Sequence, residues 1–139
     1  MRLVLDTNVV VAGLLWAGPP RRLLESAINE AVTLYSSLAL IEELARTLGY
    51  AKLTRRMAQV GATPAALVAE YAALVTLVSP TQVPRVIEQD ADDDHVLACA
   101  LAGQAELIVS GDKHLHSLGG EYSGIAIVTP AQAVQLIST

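Results

Sequence analysis

The chain has 139 residues, 53% hydrophobic and 17% charged, which excludes intrinsic disorder and predicts one domain, residues 1–139, with a substantial core. The net charge of −5 has the wrong sign for binding nucleic acid through bulk electrostatics alone. With no apolar run of roughly 18 residues, no signal peptide and one cysteine, we expect a cytoplasmic protein without a membrane span or internal disulfide.

Short apolar runs, typical of buried parallel strands, alternate along the sequence with segments of helical periodicity. Cap and stop signals separate them: Asp6 ends the first strand, Thr7 or Asn8 can cap the segment that follows, and Gly49 and Gly61 can each end a helix. In chain order the predicted elements are a strand at 2–6, a helix at 20–30, a strand at 32–36, a helix from Ser36 or Ser37 to about Leu48, a helix at 51–60, a helix from Pro64, a strand at 75–80, a helix from Asp92 or Asp93, a strand within 105–112, a weaker strand within 124–130 and a helix from Pro130.

This alternation predicts an α/β fold in which a parallel sheet of about five strands lies between two layers of helices. Ligands of such sheets bind beyond the carboxyl ends of the strands. Four separate segments bring carboxylates to that edge. They carry Asp6; Glu42 and Glu43; Asp92, Asp93 and Asp94; and Asp112.

Helix capping explains two of the aspartates at 92–94, but it explains neither Asp6 nor Asp112. A carboxylate at the end of a covered strand loses hydration and needs a positive charge nearby, and only Lys113 is adjacent. A divalent cation supplies that charge. Because the candidate ligands are carboxylates, without cysteine or an obligatory histidine, they favour Mg²⁺ or Mn²⁺ over Zn²⁺. Such ions commonly assist phosphate-ester hydrolysis.

Four stretches, in order along the chain, are similar to the motifs of one family. They are LDTNV at 5–9, SSLALIEELARTL at 36–48, DADDDHVLACALAG at 90–103 and LIVSGDKHL at 107–115. On these motifs the chain resembles the PIN-domain family of metal-dependent ribonucleases, and within it the VapC-like toxins of toxin–antitoxin pairs. The resemblance covers nearly the whole chain and implies a single three-layer PIN-like domain.

The resemblance assigns a catalytic, metal-binding quartet to Asp6, Glu43, Asp94 and Asp112. Periodicity leaves Glu42 and Glu43 open, whereas the family's Glu-Leu pair matches Glu43. Asp94 is preferred because it precedes Leu97 by three residues, as in the family motif. The quartet is expected to hold one or two Mg²⁺ or Mn²⁺ ions, which activate water for attack on an RNA phosphodiester.

Further residues receive secondary roles. By the same resemblance Asn8 matches a polar residue that often follows the first acid, and Ser110 matches a residue that hydrogen-bonds near the metal. Asp92 and Asp93 are candidates for outer-sphere or second-metal ligands, and Asp90 is expected in the preceding loop. A basic group can steer the RNA backbone, or it can be an ordinary solvated helix face. Its members are Arg46, Lys52, Arg55 and Arg56.

Histidines depart from the family pattern at two positions, because His114 and His116 stand where an acid and a leucine are common. A His-x-His pair beside an aspartate can bind zinc. This segment is expected to begin a helix, however, where side chains at i and i+2 diverge, so we interpret both as exposed loop residues. His95 is interpreted as a bystander, and Cys99 as a small apolar residue inside a helix.

The resemblance also implies RNA as substrate, a cognate antitoxin and a homodimer. Trp16 is either the anchor of a partner interface or a core residue. Two alternatives remain: a non-catalytic PIN fold that binds RNA or protein, and a Mg²⁺-dependent phosphotransfer or phosphatase domain. Against the second, Asp6 is followed by Thr7-Asn8 rather than by x-Asp, and the third strand, at 75–80, offers no phosphoacceptor aspartate.

Overall fold

The structure, a computed structural model, describes residues 1–83 and 91–138. Asp90 and the side chain of Asp92 therefore lie outside its described part. In chain order the elements are β1 (Arg2–Leu5), α1 (Thr7–Leu15), α2 (Pro19–Ile28), β2 (Thr33–Ser36), α3 (Leu38–Leu48), α4 (Ala51–Val60), α5 (Pro64–Leu74), β3 (Thr76–Leu77), α6 (Ala91–Ala102), β4 (Leu107–Val109), α7 (Lys113–His116), β5 (Glu121–Tyr122), β6 (Ile125–Val128) and α8 (Pro130–Ser138).

The strands form one sheet in the order β3-β2-β1-β4-β6-β5. All neighbours pair in parallel except β5 and β6. The predicted α/β fold is thus confirmed, with six strands where about five were expected. The additional strand comes from a hairpin whose two-residue loop, Ser123 and Gly124, has positive φ angles of 50° and 81°. Such loops match the twist of an antiparallel pair, and the Ser-Gly sequence is their signal.

Side chains alternate across the sheet and build a core on each face. Leu3 and Leu5 of β1 belong to one buried cluster, with residues of α1, α2, α3 and α5, while Val4 between them belongs to the other, with residues of α6. Strand β4 repeats this pattern, because Ile108 packs on the α6 side. The sheet therefore lies between two helical layers, as predicted. None of the described helices is long and apolar enough to cross a membrane.

Most of the predicted caps are present, with one correction. Ser37 caps α3, Gly49 follows its last residue, and Gly61 ends α4 in the left-handed region at φ 66°. Thr63, directly before Pro64, caps α5. The cap of α1 is Asp6 rather than Thr7 or Asn8, because β1 ends at Leu5 and the helix begins immediately afterwards.

The third strand is shorter than the predicted 75–80. Only Thr76 and Leu77 pair, and their partners are the last two residues of β2. Strand β2 ends at Ser36, where the chain turns into α3, so little backbone remains for a longer ladder. Because β3 lies at the sheet edge, both of its side chains are exposed.

The order of the strands creates a topological switch point at the carboxyl edge of the sheet. From β1 the chain builds outward through β2 to β3, whereas β4 and β6 lie on the opposite side of β1. Neighbouring strands β1 and β4 are therefore followed by connections that leave in different directions. In open α/β sheets this switch point is where ligands bind. Asp6 follows β1 and Asp112 follows β4 at this point.

Candidate active site

Three side chains connect the ends of β1 and β4. Asp6 is 5% exposed, and its Oδ1 accepts the N–H of Thr7 at 2.8 Å. Its Oδ2 accepts the hydroxyl of Ser110, a fully buried residue, at 2.7 Å. The Ser110 oxygen in turn accepts the N–H of Asp112 at 2.9 Å. One hydroxyl thus fixes two of the predicted catalytic acids relative to each other across the switch point.

The turn after β4 is fixed by two further contacts. Asp112 caps α7, with its Oδ1 accepting the N–H of His114 at 2.7 Å. Nε2 of His116 lies 2.6 Å from the carbonyl oxygen of Ser110. Because a carbonyl only accepts, this ring nitrogen carries the proton and donates it. The carboxylate of Asp112 therefore keeps a defined orientation, while about a fifth of its side chain remains open to solvent.

The first turn of α6 adds two buried carboxylates, Asp93 at 3% exposure and Asp94 at 2%. Among the described residues, one group of three metal-type ligands has donor atoms that all lie within 4.8 Å of one another: Asp93, Asp112 and His114. The structure thus brings Asp93, a secondary candidate from the sequence, beside Asp112. The preferred role of Asp94 stays a prediction.

Helix α3 carries the two candidate glutamates. It is capped by Ser37, directly after β2, and packs against α1 and α6. Glu42 is exposed, whereas Glu43 is half-buried and its Oε2 atom is inaccessible to solvent. Burial therefore favours Glu43, the residue that the family motif selects.

The remaining predicted site residues lie at different distances from the acids. Asn8 is exposed in the first turn of α1, beside Asp6. Arg46 is exposed one turn after Glu43, and this i, i+3 spacing puts both on one side of α3. Lys52 and Arg55 are exposed on α4.

Arg56 has another environment. Its Nε donates to the carbonyl oxygen of Leu15 at 2.7 Å, and its guanidinium lies 5.4 Å from the ring centre of Trp16. Leu15 ends α1, about 14 Å along the helix from Asp6 at 1.5 Å per residue. Arg56 therefore packs at the opposite end of α1 from the acids. Trp16 is 42% exposed, so it is not a core residue.

Two titratable groups outside this site are deeply buried. Burial raises the pKa of the Cys99 thiol to about 12, and the residue has no exposed surface. The pKa of Tyr71 is also raised, first by burial and then by the nearby Cys99. Cys99 is thus an inert, apolar residue inside α6, as the sequence predicts.

The sequence model of the PIN domain family matches residues 2–114, a range that contains all four predicted acids. The chain belongs to the PIN domain family. The family resemblance drawn from the four motifs is therefore confirmed. No curated protein sequence gives a significant match to this PIN domain.

Two solved structures share its fold. VapBC2 from Rickettsia felis, bound to a DNA fragment from their promoter, has a TM-score of 0.63 and 14% identity, over 93% of this chain and 98% of that one. FitAcB from Neisseria gonorrhoeae has a TM-score of 0.53 and 19% identity, with the same coverage of 93% and 98%. At these identities the likeness describes the fold of this PIN domain.

The sequence predicts that a helix begins in this segment, and α7 does begin there, with His114 as its second residue. His114 is half-buried rather than an exposed loop residue, and one of its ring nitrogens lies within 4.8 Å of carboxylate oxygens of Asp93 and Asp112. The sequence feature that points to this proximity is the position of His114, two residues after Asp112, the residue that caps α7. The expected divergence of His114 and His116 is confirmed, because one faces Asp112 and the other a backbone carbonyl.

Proposed function

We propose that this PIN domain is a metal-dependent ribonuclease that hydrolyses RNA phosphodiester bonds, as the toxin of a toxin–antitoxin pair. The observation that carries the proposal is the hydrogen-bonded bridge from Asp6 through Ser110 to Asp112 at the sheet's switch point. A helix cap alone needs no such bridge, since Asp112 already caps α7 through a separate contact.

The donor set fits a divalent cation. Asp6, Asp93 and Asp94 are each at least 95% buried, and burying several carboxylates at one edge of a sheet is costly, which a divalent cation would offset. Their hard oxygen atoms suit Mg²⁺ or Mn²⁺. In our proposal Asp6, Glu43, Asp94 and Asp112 hold the ion or ions, with Asp93 beside them. A bound ion of this kind activates water and neutralises charge on the phosphate.

The chain's own residues orient that chemistry. The hydroxyl of Ser110 holds the Asp6 carboxylate in one rotamer, and the α7 cap does the same for Asp112. Oriented, buried carboxylates need little reorganisation during reaction, which is the main source of electrostatic catalysis. Arg46, one turn from Glu43, is the basic residue that the proposal places nearest the RNA backbone.

The experiment incubates purified protein with mixed RNA in Mn²⁺, Mg²⁺ or chelator. We expect cleavage with either ion, none with chelator, and none for Asp6→Asn, which keeps the cap but removes the charge. Glu43→Gln should lose activity while its exposed neighbour Glu42→Gln, the matched control, retains it. If RNA binds but stays intact under every condition, the domain is a non-catalytic PIN fold. Hydrolysis of phosphate monoesters instead of RNA would favour the phosphatase alternative.

The proposed RNA contacts have a separate test. Charge reversal of Arg46 and Arg55 should weaken RNA binding and flatten its salt dependence, because each phosphate contact adds about one unit to the slope of log affinity against log salt. Arg56→Glu should mainly destabilise the fold, since this side chain packs on Leu15 and Trp16. Unchanged affinity and slope for the double reversal would remove these residues from the RNA surface.

The partner proposal follows the same family resemblance. The Rickettsia neighbour is a VapBC2 structure, and the four sequence motifs resemble VapC-like toxins, so we propose an antitoxin as partner. Trp16, exposed and stacked by Arg56, is the proposed anchor, beside a cavity of about 490 Å³ that Val60 and Leu67 also line. Trp16→Ala should weaken complex formation with the product of a neighbouring gene. The expected homodimer stays a prediction.

A further inference from the structure

His114 brings an imidazole to the proposed metal site. An imidazole nitrogen of His114 lies within 4.8 Å of carboxylate oxygens of both Asp93 and Asp112. Ligands on opposite sides of an ion with bonds of about 2.1 Å are roughly 4.2 Å apart, so small side-chain rotations suffice to bring the three donors together. The group joins α6 to α7 rather than being a local cluster on one helix.

The position of this imidazole follows from the backbone. The N–H of His114 donates to Asp112, and its carbonyl oxygen accepts the hydroxyl of Ser117 at 2.6 Å. Hydrogen bonds therefore hold both backbone polar groups of this residue. The ring then lies over the capping carboxylate, with Nδ1 3.4 Å from Oδ1 of Asp112. About a third of the side chain is exposed, which leaves room for an ion to approach. By contrast, Nε2 of His116 is engaged by the carbonyl of Ser110.

We propose that His114 is a nitrogen ligand of the divalent-ion site and shifts its preference from Mg²⁺ toward transition metals such as Mn²⁺ and Co²⁺. The inference rests on the proposed function, because it concerns the same site. Mg²⁺ strongly prefers oxygen ligands, whereas the affinity of mixed nitrogen and oxygen sites rises from Mn²⁺ to Co²⁺. A site of carboxylate oxygens follows the same order less steeply, so an imidazole ligand strengthens this discrimination.

Calorimetric titration of the purified protein with CoCl₂, MnCl₂ or MgCl₂ tests the proposal. His114→Ala should weaken Co²⁺ binding by about tenfold or more, Mn²⁺ binding less, and Mg²⁺ binding little, following the order of metal–nitrogen affinity. His114→Asp, which restores an all-oxygen set, should favour Mg²⁺ relative to Co²⁺. The backbone N–H that contacts Asp112 is unaffected in both variants, so we expect both to fold.

A spectroscopic measurement separates ligation from a structural role. The Co²⁺-loaded protein should show a strongly shifted, exchangeable imidazole N–H proton in its NMR spectrum. The signal should vanish in His114→Ala and persist in His95→Ala, the matched control, because His95 lies in α6 outside the three-residue group.

Three outcomes overturn the proposal. Equal losses for Co²⁺ and Mg²⁺ in His114→Ala would indicate a role that does not depend on nitrogen ligation. Unchanged Co²⁺ binding, with RNA cleavage still abolished by Asp6→Asn, would reject the His114 ligand and leave the proposed ribonuclease intact. If the wild-type protein binds none of the three ions, both proposals fail together.

Discussion

Replacing Ser110 with alanine tests the bridge on which the proposed active site depends. The wild-type hydroxyl donates to Oδ2 of Asp6 at 2.7 Å and accepts the N–H of Asp112 at 2.9 Å, in a position with no exposed surface. Alanine fills nearly the same space but offers neither contact. The contact with Asp6 is buried and the contact with Asp112 is partly buried, so the carboxylate and the N–H each lose a hydrogen bond where water has limited access.

The two contacts set the expected magnitude. A hydrogen bond to a charged carboxylate contributes about 1.5–3 kcal/mol, and one between neutral groups about 0.5–1.5 kcal/mol. We therefore expect Ser110→Ala to lower the free energy of unfolding by about 2–4 kcal/mol, a large part of the roughly 5–15 kcal/mol of a typical domain. With a urea slope of about 2 kcal/mol per molar, the unfolding midpoint should fall by about 1–2 M.

Urea unfolding followed by circular dichroism, without added metal, measures this change. Ser26→Ala is the control, since its hydroxyl donates to the carbonyl of Arg22 at 2.9 Å on an exposed surface, and its cost should stay within about 0.5 kcal/mol. A Ser110→Ala variant no less stable than the Ser26→Ala control would refute the reasoning, because the buried bridge would then contribute nothing.

Three further changes have defined outcomes. Asp112→Asn should leave the stability of the metal-free protein unchanged or raised, because asparagine still caps α7 and the repulsion from Asp93 falls. The rise in Tm that Mn²⁺ causes in the wild type should disappear in this variant. A clear loss of stability without metal would contradict this expectation. Gly13→Ala should lower the free energy of unfolding, measured in urea, by about 1–3 kcal/mol, because the added Cβ would lie 2.9 Å from the carbonyl oxygen of Pro20. A neutral effect would show that α1 and α2 can move apart at little cost. Burial raises the pKa of Cys99 from 9.0 to about 12, so the folded protein keeps this thiol protonated where the unfolded chain loses the proton. The stability that the buried thiol contributes is complete below pH 9 and is lost by about 1.4 kcal/mol per pH unit as the pH rises toward 12. Unfolding titrations from pH 8 to 11 should therefore show a shallower decline in Cys99→Ala than in the wild type, and parallel curves would exclude this linkage.

Local chemistry along the chain was sufficient for most of the elements and many of their ends, although it missed β5 and overestimated the length of β3. Alternation of apolar runs with helical periodicity predicted the α/β fold, and Ser37, Thr63 and Gly61 act as the caps and stop that their residue types favour. The direction of the chain also predicted that Asp6 and Asp112 lie at the carboxyl edge, because they follow β1 and β4. These features depend on neighbours within a few positions, which the sequence contains directly.

Only the tertiary structure decided which of those acids meet. Asp6 and Ser110 are separated by 104 positions and come together because β4, not β3, pairs with β1 on the side opposite β2. Likewise, the proximity of Asp93 to Asp112 and to His114 depends on how α6 and α7 pack at that edge. Periodicity fixes the face on which a side chain lies, but the identity of its distant neighbours depends on strand order and on helix rotation within the packed layers.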